Sequence, residues 1–157
     1  MKKKKIIDPF DESAAQRSAL NLLKFRARSE YELKQRLLEK GFDEKTIDNV
    51  IVKLKEFKMI DDELFAYFYA FDKMTFNKKG PRLIKLELIN KFHINEDIAY
   101  KGLEKAMEEV DLKEIIREII KRKENYDDKR KIKEYLYKKG FEGYMIEEVL
   151  NEVGGEY

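Results

Sequence analysis

Apolar residues recur at three- and four-residue intervals along most of the chain, and strict alternation persists nowhere, so the pattern reads as helices without strands. The stretch from Ser29 to Leu54 sets the pattern. Ser29 stands where a helix N-cap belongs, and Glu32, three residues on, reaches back to close a capping box. Leu33 and Leu37 then lie one turn apart on one face. Gly41 ends the helix, because glycine enters the left-handed conformation of a helix terminus without a Cβ penalty. Asp43 caps the next helix, whose Ile47, Val50, Ile51 and Leu54 keep the 3.6-residue period.

The same arrangement returns twice. A shift of 99 residues places Leu37 on Leu136, Lys40-Gly41-Phe42 on Lys139-Gly140-Phe141, Ile47 on Ile146 and Val50 on Val149. A shift of 51 places Leu33 on Ile84, Leu37 on Leu88 and Lys40 on Lys91. Past that point the register slips by one, so that His93-Ile94-Asn95 answers to Gly41-Phe42-Asp43. His93 is therefore expected at positive φ like the two glycines, and histidine tolerates that region better than most residues.

Three copies at this period predict an all-α fold: a tandem array of three three-helix repeats, elongated and curved. Residues 13–60, 61–110 and 111–153 are the expected repeats, flanked by a disordered arm over 1–12 and a frayed tail over 154–157. Asp61, Asn95 and Asp111 are the expected caps of later helices, and Pro81 suits a first helical position, where its missing N–H is harmless. Within 61–74, Phe65, Phe68 and Tyr69 follow the helical period and are expected to face inward.

Composition narrows the chemistry. The 157 residues contain no cysteine, which removes disulfides, thiol catalysis and zinc–thiolate sites. No apolar run approaches the roughly 18 residues of a membrane helix, and MKKKKII lacks the apolar core of a secretory signal. A cytoplasmic monomer is the expectation. The single histidine cannot belong to a histidine-based catalytic pair. Asp61-Asp62-Glu63 lacks the alternating ligands of a calcium loop and reads as helix capping. No phosphate-cradling glycine loop or Ser–His–Asp set is present. The expectation is a protein that is not an enzyme and uses no cofactor and no metal.

A net charge of +2 says little, but its distribution says more. The windows around the middle helices, 24–40, 73–91 and 121–139, carry net charges of +3, +5 and +5, whereas 43–57, 92–110 and 142–157 carry −1, −3 and −5. Stacked repeats align equivalent helices, so a lysine-rich stripe is expected along one side, either as a binding surface or as a solvated face. The candidate binding residues are Lys78, Lys79, Arg82 and Lys85, then Lys121, Arg122, Lys129, Arg130, Lys131 and Lys133.

Taken together, Arg26-Ala27-Arg28-Ser29 with Glu32-Leu33, Lys40-Gly41-Phe42, Ile60-Asp61-Asp62 with Phe65-Ala66, and Lys79-Gly80-Pro81-Arg82 with Glu87-Leu88 resemble the RecX family of recombination regulators. The likeness runs from Ser13 to Val153. The sequence departs from the family pattern at Phe92-His93-Ile94, where Lys-Gly-Ile is usual, and at Phe65, where tyrosine is common. The resemblance implies a non-enzymatic protein of tandem three-helix repeats that binds the RecA filament and restrains its ATPase and strand exchange in recombination and DNA repair. Direct binding of DNA, within or beside the filament or without RecA, and service as a scaffold for another protein are the alternatives.

Overall fold

The structure, a computed structural model, describes residues 7–123 and 128–154. Among them the regular elements are nine helices: α1 (Glu12–Phe25), α2 (Glu30–Glu39), α3 (Glu44–Glu56), α4 (Asp62–Phe76), α5 (Pro81–Asn90), α6 (Glu96–Glu108), α7 (Leu112–Arg122), α8 (Lys129–Lys138) and α9 (Gly143–Gly154). They form three units of three. Substantial helix packing occurs within each unit and, between units, where α4 meets α7. The units thus form a row rather than a ball.

Local chemistry sets the helix ends. The side chains of Asp11, Ser29, Asp43, Asp61, Asn95, Asp111 and Asp128 each accept a backbone N–H of the helix they precede. Such caps satisfy donors that have no partner inside the helix, each for about 1 kcal/mol. The capping box of Ser29 and Glu32 is complete. Gly41, Gly140 and His93 have φ of 100°, 102° and 51°, as the alignment of turns requires. Lys58 and Lys78 also have positive φ, at 55° and 53°; no repeat pattern marked them.

Two sequence expectations are corrected. Residues 1–6 lie outside the described residues, but the rest of the expected arm is folded. Asp11 caps α1, which begins at Glu12, one residue before the predicted start. The Asp43 N–H donates to Pro9 O at 2.8 Å, and Ile7 packs on the core of the first unit. The second correction is Phe68, which is 51% exposed. Ala66, Ala70 and Met74 mark the buried stripe of α4 one turn apart, and Phe68 falls two residues from both alanines, on the other side.

The apolar interior is divided unequally. Ala15, Ala19, Leu33, Leu37, Ile47, Val50 and Leu54 belong to a core confined to the first unit. Phe65, Met74, Ile84, Leu88, Ile116, Leu136, Phe141 and Val149 belong to one core running through the second and third units. The second and third units are therefore one apolar body, and the first is a body beside it.

Candidate functional site

The basic residues are best located from the joint between the second and third units. There the N-terminus of α5 meets the turn after α8: the Gly80 N–H donates to Lys139 O at 2.7 Å and the Arg82 N–H to Gly140 O at 3.0 Å. A Cβ at Gly80 would stand 2.2 Å from the Gly140 carbonyl carbon, and one at Gly140 2.6 Å from the Leu83 N. Both positions require glycine for close approach.

This contact opens a cleft of about 190 Å³ lined by Phe76, Asn77, Lys78, Ile119, Arg122, Lys123, Tyr135 and Lys139. Four of the eight are cations and none is a carboxylate. Lys123 lies over the Tyr135 ring at 3.6 Å, and the Lys139 ammonium donates to Asn77 O at 3.2 Å. Phe76 is 76% exposed. Charges held this close in a partly enclosed space attract an anionic group more strongly than scattered surface lysines do.

The ten predicted residues are used unevenly. Lys78 and Arg122 line the cleft. Lys78 also pairs with Glu118 of α7, and its hydrogen bond holds that carboxyl below its usual range. Lys79 bonds both oxygens of Glu87, at 2.9 and 3.0 Å. Glu87 in turn accepts from the Tyr69 hydroxyl at 3.1 Å; burial first, and then the Glu87 charge, raise that phenol.

Arg82 clamps the joint. Its guanidinium stacks on the Tyr137 ring at 4.0 Å and donates to Tyr137 O, while its Nε is buried without a hydrogen-bond partner. Lys85 pairs with Glu96 at 3.2 Å. The stretch expected to be either a binding surface or a solvated face thus carries a set of internal ties. Lys133 is paired with Glu147 and Arg130 with Glu134 at 3.7 Å. Lys121, Lys129 and Lys131 are exposed at the end of α7 and the start of α8.

Lys123, Lys139, Phe76 and Tyr135 were not foreseen as site residues. Two left a trace in the sequence. Lys139 recurs as the lysine of the turns at Lys40 and Lys91, and Phe76 recurs as Phe25. Among the described residues no group of three or more His, Cys, Asp or Glu side chains is arranged to hold a metal. No described helix is long and apolar enough to cross a membrane.

Comparison with known proteins fits this architecture. Residues 15–54 match the family profile described as RecX, first three-helix domain. The regulatory protein RecX of Thermotoga sp. (strain RQ2) is 39% identical over 137 residues, covering 87% of this chain and 83% of that protein. The regulatory protein RecX of Caldanaerobacter subterraneus subsp. tengcongensis is 34% identical over 138 residues, covering 87% and 69%. The crystal structure of RecX from Lactobacillus salivarius superimposes with a TM-score of 0.81 at 28% identity, covering 92% of this chain and 97% of that one. The turn, cap and repeat pattern read from the residues, the nine helices among the described residues and these relatives agree: this chain belongs to the RecX family of regulatory proteins.

Proposed function

We propose that this protein binds the RecA filament and inhibits its ATP hydrolysis and strand exchange, acting as a regulator without catalytic activity of its own. The observation that carries the reading is the cleft between the second and third units, where Lys78, Arg122, Lys123 and Lys139 meet; Lys78 is paired with Glu118, and none of the described lining residues is a carboxylate. The exposed Lys121, Lys129 and Lys131 extend the basic surface along the same pair of helices. A nucleoprotein filament offers both acidic protein surface and DNA phosphate, and a basic cleft suits either. Several weak charge contacts along a row of units act together by avidity, although each exposed pair is worth only about 0–1 kcal/mol.

A second reading, direct binding of single-stranded DNA, is favoured by the exposed Phe76 and half-buried Tyr135 beside those cations, since bases stack on aromatic rings in basic grooves. Co-sedimentation with RecA–single-strand filaments and with the bare strand separates the two. The proposal expects the protein in the filament pellet and little of it on the strand alone. Binding to the bare strand of equal strength, falling with salt at a log–log slope of about −0.7 per phosphate, would favour the second reading.

A further inference from the structure

Phe25 and Phe76 occupy the same place in successive units. Each is the last residue of its unit's first helix, and each is followed five residues later by the start of the second helix. Both lie on the surface, 85% and 76% exposed. Apolar side chains scattered singly on a surface are ordinary, but here one recurs at the repeat spacing, 51 residues apart.

Two equivalent grooves follow these positions, each formed by the loop after the phenylalanine and by the first two helices of the next unit: Phe76 lines the second, and Phe25 immediately precedes Arg26 and Ala27, which line the first. Arg26, Ala27, Phe68, Tyr69, Lys73 and Lys91 line part of the first groove, which has a volume of about 450 Å³. The second is the cleft already described. The C-cap lysines Lys91 and Lys139 correspond between the two, as do Lys73, twelve residues after the Asp61 cap, and Lys123, twelve after the Asp111 cap.

Charge decides the class of occupant. The first groove also contains Glu32 and Asp72, with Glu32 bonded to Arg26, and this would repel a phosphate backbone that the second groove would accept. What both grooves share is aromatic rings with lysines beside them, and aromatic rings are enriched at protein–protein interfaces. Two equivalent anchors on consecutive units fit a partner that presents one element twice.

We infer that Phe25 and Phe76 are register anchors for a repeating protein partner, each entering an apolar pocket with an acidic rim on successive copies of the same subunit. This rests on the filament reading above and adds which residues set the register. The test is the affinity of the full-length protein for RecA filaments on an oligonucleotide. Phe25→Ala and Phe76→Ala should each weaken binding roughly 10- to 30-fold, as loss of a hot-spot residue does. The double variant should lose more than either, because the two contacts are linked. Phe10→Ala and Phe57→Ala serve as controls, being 72% exposed but not repeated, and should stay within about two-fold. Melting temperatures of all four single variants should match the parent, since none of these rings is buried. Three results would overturn the inference. A double variant that binds like the parent removes the anchors alone, with the filament reading intact. Equal losses on bare single-stranded DNA make the occupant a nucleic acid. A parent that does not bind filaments at all removes the filament reading and the inference together.

Discussion

The two joints use equivalent positions in opposite ways. At the second joint Gly80 caps α5 with no side-chain bond, and its backbone lies directly on the Lys139-Gly140 turn. At the first joint the corresponding residue is Ser29, which is fully buried and whose hydroxyl donates to Phe92 O at 3.2 Å. Arg82 stacks on Tyr137 across one joint, whereas Tyr31, its counterpart, stacks on His93 at 3.8 Å across the other. His93 brings a Cβ to the turn that Gly140 leaves bare. The backbones of the first joint therefore stay apart, and side chains bridge them. The first joint is a polar seam between two cores, and the second lies over a continuous core. A backbone contact over packed apolar atoms has little freedom, and a seam of side-chain hydrogen bonds has more. The basic cleft is on the rigid joint.

The second joint is most vulnerable at Gly80. Gly80→Ala places a methyl group 2.2 Å from backbone, where nothing flexible can move aside. The expected loss is about 3 kcal/mol, at the upper end for overpacking, or a fall in melting temperature of about 6–12 °C for a chain of this size. An unchanged melting temperature would mean that the second joint is not held by close backbone approach.

Ser29→Ala should cost less, about 1–2 kcal/mol, through the lost cap and the unpaired Phe92 carbonyl. Its effect should also be local. Amide hydrogen exchange should quicken in α1–α3 and stay unchanged in α7–α9; equal quickening throughout would mean that the row is one cooperative body.

The smallest effect concerns Asp62, which accepts the Glu30 N–H across the first joint at 2.9 Å. Burial raises its carboxyl pKa, and the Glu30 N–H offsets this only in part. A raised folded pKa favours folding at low pH, and that contribution is lost as pH rises from the usual carboxylate value through the raised one. Glu32 runs the other way. Burial pushes it up, but the Arg26 bond and the Ser29 N–H outweigh burial, so its contribution is lost as pH falls through the lowered value. Asp62→Asn keeps an acceptor and removes one titration. Its melting temperature should rise more steeply than the parent's as pH increases above the usual carboxylate value. Parallel curves would place Asp62 outside the seam.

The caps, the turns and the three-fold repeat were legible in the sequence because each is set by residues within one or two turns. Gly41, His93 and Gly140 show this directly. The joints were not legible: Ser29 meets Phe92 and Gly80 meets Lys139 across some sixty residues, and no local pattern records such a pairing. The same limit explains the basic residues. Charge periodicity placed Lys79, Arg82 and Lys85 on a surface but not beside Glu87, Tyr137 and Glu96, which occupy them. Reversing the charge of Lys78, Lys79, Arg82 and Lys85 would therefore disturb the fold as well as any binding. Exposed cations such as Lys121 and Lys131 offer a cleaner test.

That test is inhibition of RecA's DNA-dependent ATP hydrolysis. Lys121, Arg122, Lys129 and Lys131 are exposed, with no ion pair seen for them among the described residues. Replacing all four with glutamate should abolish inhibition with little change in helical content or melting temperature. The same change at the exposed Arg17, Lys40, Lys45 and Lys101, which alters net charge equally, should leave inhibition largely intact. If the first variant inhibits as well as the parent, or both variants lose inhibition alike, the basic surface at the second joint is not what engages the filament.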